Sequence, residues 1–350
     1  MVVESPSLYG LKKTNRDFTK KDTWGKNQFN SSFPASLCCY LESKKIDPVY
    51  LSIKGGNFLQ STISVQDVFG ISANSNDTYF AFETQHTPFQ KYVIGSIPRT
   101  DLVIQKESTG ECLSALEVKL TALPDNTTCE LSDNLYGSEI VVRPDTIVYL
   151  ACSIASSLKD KLNDCISDVG INDWSDAKQV LSKIETIVTT INNLSLCLEE
   201  SQDSFLLQPV WKTNGKSPEL ADGCLDVFVW SNAGFSRFIS EIANKDSEAN
   251  QITRQTRTAI WLFKMLQDIK DKNKFDHKAI IDTLSYNTKN DKAFASSGTL
   301  TNKYMSCDRL KNPAIKKTEI RNIILGGGQN MLSPERRFDA IIYNSPELFK

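Results

Sequence analysis

"TDLVIQKESTGECLSALEVKLTAL", residues 100 to 123, reads as two strands and the turn between them. Apolar residues run on both sides of "STGE", where Thr109 and Gly110 supply turn chemistry, so the segment predicts a β-hairpin. Successive side chains of a strand face opposite ways. That period puts Leu116, Val118 and Leu120 on one side and Ala115, Glu117, Lys119 and Thr121 on the other. The apolar side packs, while the other presents a glutamate and a lysine to whatever lies beside it. Asp101 opens the partner strand, and hairpin pairing would bring its carboxylate beside that of Glu117.

Two carboxylates held close repel unless a cation sits between them. Magnesium suits such a place, because it takes one or two carboxylates, several waters and a phosphate oxygen. It acidifies water and stabilises charge developing on phosphorus, and an amine such as Lys119 can orient that water or neutralise the transition state. The competing reading makes Glu117 and Lys119 a surface ion pair of little energetic value. The acid-x-Lys pattern alone carries little information, since Glu42 and Lys44, Asp176 and Lys178, Asp268 and Lys270, and Asp276 and Lys278 repeat it. Those copies fall mostly in helical stretches, where residues two apart diverge. Only the Glu117 copy sits in a strand with an acid on its neighbour.

Working outward, a helix is expected from Ser32 to Lys45, with strands at Val49–Lys54, at "TYFAFE" from Thr78, and at "KYVIGSI" from Lys91. Beyond "PDNTT" the spacing turns helical, with segments starting at Thr146 and Asp176, then a strand "CLDVFVW" from Cys224 and a helix "GFSRFISEIANK". A long amphipathic helix is expected from about Ile252 to Lys270. Strands gathered in the first third and helices around them predict an α/β fold, with a mixed central β-sheet flanked by helices and a helical basic C-terminal elaboration. A single domain over 1–350 is expected, its core at about 31–240 and its basic part at about 250–350.

Composition excludes several classes. At 350 residues, 40% hydrophobic and 23% charged, the chain can bury a sizeable core and is not disordered, collagen-like or a coiled coil. The start "MVVESPSLYG" lacks the basic and apolar regions of a signal peptide, and the longest oily run, "IVYLACSIA" from Ile147, falls far below the roughly 20 residues of a membrane helix. A cytoplasmic location is expected. Nine cysteines without a CxxC pair, and only two histidines, argue against disulfide frameworks and structural zinc, and for buried free thiols. Net charge is only −2, yet Gln251 to Arg321 holds fifteen Lys plus Arg against seven Asp plus Glu. That local excess of eight positive charges suits either a nucleic-acid-binding face or a solvated surface.

Asp101 with "LEVK" from Leu116 resembles the PD-(D/E)xK pattern of restriction-endonuclease-like nucleases, with the usual Pro-Asp replaced by "PRTD" and Pro98 displaced. Two longer segments, "LYGLKKTNRDFTKKDTWGKNQFNSSFPASLCCYL" from Leu8 and "LEVKLTALPDNTTC" from Leu116, are similar to the HindVP family of type II restriction endonucleases. The resemblance implies a restriction-endonuclease-like core and a magnesium-dependent homodimer. Such an enzyme cuts double-stranded DNA at a short near-palindromic site, GRCGYC (R purine, Y pyrimidine), leaving 5′-phosphate and 3′-hydroxyl ends. By the motif, Asp101 and Glu117 would hold Mg2+ and Lys119 would be the active-site lysine; whether Glu107 or Glu111 adds a ligand stays open. A cognate DNA methyltransferase protecting host DNA is implied as functional partner. The rivals are a PD-(D/E)xK nuclease of repair or branched DNA, and a DNA-binding relative that has lost catalysis.

Other residues are candidates for DNA contact. Lys26, Asn27, Gln28 and Asn30 form a run of donors and amides able to read bases, or a loop that satisfies its own backbone. Arg254 and Arg257 lie three apart near a helix start, suited to phosphates or to a solvated face. Arg309, Lys311, Lys316, Lys317 and Arg321 make the densest basic run, suited to salt-sensitive backbone contacts.

Overall fold

A computed structural model describes residues 11, 13–16, 35, 38, 39, 42, 45, 47–118, 144–200, 204–209, 227–244 and 251–286. The hairpin that opened the sequence forms as β4 (Thr100–Lys106) and β5 (Cys112–Val118), antiparallel, with Leu102 opposite Leu116 and Val103 opposite Ala115. Gly110 closes its turn at φ +70°, a conformation that L side chains rarely adopt. A bulge between Ile104 and Gln105 shifts the pairing near the turn.

Around this hairpin grows a seven-stranded mixed sheet in the order β2-β1-β7-β6-β5-β4-β3. Its other strands are β1 (Val49–Lys54), β2 (Asn57–Thr62), β3 (Thr78–Thr84), β6 (Ser204–Pro209) and β7 (Val227–Ser231). β1 with β7, and β5 with β6, pair parallel; the remaining neighbours are antiparallel. The outer edge of β3 is covered by residues 13–16. Thr14 bridges Phe80, the Asn15 amide exchanges two 2.9 Å hydrogen bonds with the Phe82 backbone, and Arg16 meets Glu83 at 3.1 Å.

The alternation of the strands builds two layers. Phe80, Phe82, Leu102, Ile104 and Leu116 are buried on one face, where α1 (Val65–Phe69) sets Phe69 edge-on to Phe80 at 5.8 Å. Ala81, Val103 and Ala115 face the other way, toward α2 (Pro144–Leu158). Every residue of α2 from Thr146 to Ala155 is buried. It lies between β4, α6 (Asn232–Asn244) and α7 (Arg254–Lys272), so a helix apolar around its whole circumference has partners on every side. α7 begins with a Thr253–Thr256 capping box and ends at Asn273, φ +62°. No helix among the described residues is long and apolar enough to cross a membrane.

Some expected elements differ. The "KYVIGSI" strand is instead the end of a 3-10 helix (Thr87–Tyr92) followed by irregular chain. The Gln90 side chain takes the place of a ladder neighbour, donating to the carbonyls of Val93 and Gly95 and accepting from Ile97 N–H. Val93 and Ile97 are buried all the same, which explains their apolar spacing. The helix expected from Thr146 ends at Leu158 and resumes, after a 3-10 turn, as α3 (Leu162–Cys165). The helix expected from Asp176 is two, α4 (Ala177–Leu181) and α5 (Ile184–Cys197). β2, β6, α1 and α8 (His277–Thr283) were not expected.

Tyr149 ties α2 to the loops before β4: its hydroxyl donates to Pro98 O at 2.9 Å and accepts from His86 N–H at 3.0 Å. Tyr149→Phe leaves that buried N–H and carbonyl without this partner, and should lower stability by about 2 kcal/mol, read from urea unfolding midpoints. A loss under about 0.5 kcal/mol contradicts the assignment. His86 itself is buried, and burial lowers its pKa to about 4. The unfolded histidine takes its proton near 6.5 while the folded one resists until about 4, so stability held above pH 6.5 should decline as pH falls toward 4. His86→Gln should flatten that part of the pH–stability curve.

Candidate active site

Carried one residue beyond Leu102–Leu116, the β4–β5 register sets Asp101 opposite Glu117. Cross-strand partners share a face, so the two acids flank one point at the end of the hairpin away from its turn. β5 is an interior strand there, since Glu117 is also in register with Leu206 of parallel β6. Asp101 is partly exposed, and Glu117 retains only 5% exposure.

A carboxylate so deep needs hydrogen-bond donors. Two threonines provide them. Thr146, in the first turn of α2, donates to Glu117 Oε1 at 2.9 Å, and Thr100, at the start of β4, donates to Oε2 at 3.1 Å. The Thr100 hydroxyl also lies 3.1 Å from Leu116 O, so its single proton is shared. Both threonines are buried. Three residues on from Thr146, on the same helix face, Tyr149 holds Pro98 of "PRTD" through the bond to its carbonyl. Burial first, and then neighbouring negative groups that include Glu117 and Asp145, push the Tyr149 phenol well above its ordinary range, so it stays a neutral donor. The displaced proline therefore serves as an anchor from which the strand bearing Asp101 departs.

Among the described residues no group of three or more His, Cys, Asp or Glu side chains comes together to hold a metal. Two carboxylates without imidazole or thiolate do not fit tetrahedral zinc. They fit a hard cation that keeps most of its waters and takes further oxygens from a phosphate. Glu107 and Glu111 are excluded from that place: they sit at the turn end of the hairpin, paired with Lys13 and Lys106.

Residues 24–349 match the family model of the HindVP restriction endonuclease. The chain belongs to the HindVP restriction endonuclease family. It is 54% identical to a probable type II restriction enzyme HindVP of Haemophilus influenzae over 348 residues, covering 99% of this chain and 95% of that one. It is 43% identical to type II restriction enzyme HgiDI of Herpetosiphon aurantiacus over 355 residues, covering 99% and 98%. No solved structure matches.

For this HindVP-family chain the remaining candidates distribute as follows. Lys119 lies one residue beyond the last described residue of β5, outside the described residues, as do Lys26, Asn27, Gln28, Asn30, Arg309, Lys311, Lys316, Lys317 and Arg321. Arg254 is the first residue of α7. Arg257, one turn on, is 2% exposed with its guanidinium 5.2 Å from the ring centre of Trp261, an arrangement that packs α7. The thiols of Cys38 and Cys39 are buried, and burial pushes both up, so neither is an activated nucleophile. Thr100 and Thr146 escaped sequence reasoning. Thr100 touches the motif, but nothing in a local period singles out a threonine 29 residues beyond Glu117.

Proposed function

We propose that this chain, a type II restriction endonuclease by family, hydrolyses double-stranded DNA at GRCGYC with Mg2+ held between Asp101 and Glu117. The observation that carries the reading is the β4–β5 register, Leu102 opposite Leu116, which carried one residue on sets the two acids opposite each other on adjacent strands of a mixed sheet flanked by helices, and which supports a restriction-endonuclease-like core. Bound there, the ion would acidify water and offset charge developing on phosphorus.

The chain's own groups orient the rest. Glu117 is fixed at both oxygens and Asp101 is fixed through its strand, so the negative charge that attracts the cation is preorganised. Lys119 is assigned the amine beside the scissile phosphate. Water attacks phosphorus in line with the leaving 3′ oxygen: the new P–O bond forms, the P–O3′ bond breaks, and a proton ends on the 3′ oxygen. A site nearly symmetric about its centre calls for a homodimer with one active site per strand. The chain works as one domain in the cytoplasm, paired with a DNA methyltransferase that protects host DNA.

DNA is assigned to the carboxylate end of the sheet. Lys26, Asn27, Gln28 and Asn30, a run of donors and amides, are assigned to the duplex. Arg254, Arg309, Lys311, Lys316, Lys317 and Arg321 are assigned to phosphates, whereas the buried Arg257 packs against Trp261 within α7.

Plasmid digested with magnesium should yield discrete fragments whose sequenced ends fall within GRCGYC and carry 5′-phosphates, and Lys119→Ala should slow cleavage by roughly 10²- to 10³-fold. Nicking that follows DNA structure instead would favour a repair nuclease, and a parent chain as inactive as Lys119→Ala would mark a binding protein. Binding measured in calcium should weaken linearly in log salt. Neutralising Lys316 and Lys317 together should reduce the slope by about 2, since each phosphate that a lysine neutralises contributes about 0.9.

A further inference from the structure

The structure assigns Thr146 and Thr100 as positioning residues that hold the Glu117 carboxylate in the orientation a divalent cation needs. The inference rests on the reading of Glu117 as a metal ligand and adds what fixes that ligand. An ionised carboxylate offers about four acceptor positions. The two hydroxyls occupy one position on each oxygen, at 2.9 and 3.1 Å, and come from different elements, a helix and the adjacent strand. Two contacts from different directions fix the rotation of the carboxylate about its last bond, which a single contact would not. Hydroxyls are neutral, so the buried group is satisfied without losing the charge that attracts a cation; a lysine or arginine in their place would cancel it. Both threonines are themselves buried and ordered by packing. Thr146 also lies in the first turn of α2, where the aligned peptide dipoles favour a nearby anion.

Positioning of this kind is worth about 10- to 100-fold in metal affinity or activity. The test compares full-length wild type, Thr146→Val, Thr146→Ser, Thr100→Val and Glu117→Ala on a duplex carrying GRCGYC. Mn2+ affinity is read from the resonance of free Mn2+, and the magnesium midpoint of cleavage is read in parallel. Each valine variant should raise the Mn2+ dissociation constant and the magnesium midpoint together by about tenfold or more, and Thr146→Ser, which restores the hydroxyl, should return both to within a few-fold of wild type. Wild-type Mn2+ affinity in folded Thr146→Val, or failure of serine to restore it, overturns the positioning role. Thr146→Ala repeats the comparison if the valine chain does not fold. Glu117→Ala reports separately: if it keeps wild-type Mn2+ affinity, the assignment of Glu117 to the metal fails, whereas if it loses affinity while Thr146→Val does not, only the present inference fails.

Discussion

A carboxylate nearly closed off from solvent is expensive to maintain unless its acceptors are satisfied. Glu117 meets that condition through hydroxyls from a strand and from a helix. The constraint runs outward. For Thr146 to reach Glu117, the first turn of α2 must stand over the end of β5, and for α2 to stay there it must be packed on all sides. Its burial from Thr146 to Ala155, against β4, α6 and α7, is the consequence. Tyr149 then couples the same helix face to the loops that begin at His86 and end at Pro98. One helix thereby reaches both acid-bearing strands, β5 through Glu117 and β4 through the loop that leads into it.

A hard cation, as proposed, suits the placement of the histidines and of the buried cysteines. His86 and His277 are the only histidines in the sequence, and both are buried with pKa values lowered chiefly by burial. Cys38, Cys39 and Cys152 are buried as thiols, pushed up by the same desolvation. These five groups are spent on packing, and among the described residues no cysteine or histidine joins a cluster able to hold a metal, while two carboxylates lie at the end of β4 and β5. That separation favours a cation taken from solution together with its waters over a structural metal.

Much of the fold was legible because its strands carry their boundaries in the chain. Val49–Lys54 ends at Gly55-Gly56, Thr78 follows a polar run, and the β4–β5 hairpin is marked by Thr109 and Gly110, so three-dimensional contacts merely agree with local chemistry. Lys91 to Ile97 failed for a reason outside any pattern of hydrophobicity. Apolar residues there serve a core beneath irregular chain: among the described residues the backbone makes a single bridge, Val93 with Phe275, and beyond it the Gln90 side chain takes the carbonyls of Val93 and Gly95 and the Ile97 N–H. β2, an edge strand, was missed because its exposed Asn57, Leu59, Ser61 and Thr62 are, Leu59 apart, polar and carry no apolar period of their own. The helix expected from about Ile252 to Lys270 forms as α7, yet its polar start runs deeper than composition suggests: Gln255, Thr256, Arg257 and Thr258 are buried, with Thr256 in the cap and Arg257 against the ring of Trp261.

The same contrast separates the legible part of the site from the rest. The hairpin register that brings Asp101 toward Glu117 was readable because period two in each strand and one turn between them fix their relation within 24 residues. Thr146 was not, since it lies 29 residues beyond Glu117 and no local period relates a helix position to a strand position. Acids that bind a cation must be of one chemical type at defined spacing, and that requirement leaves a mark in the sequence. Groups that orient those acids need only a hydroxyl at the right place in space, which many residues on many elements can supply. Sequence therefore locates the charge of such a centre more readily than the neutral donors that aim it, and in this chain those donors include one on the helix whose packing ties both strands together.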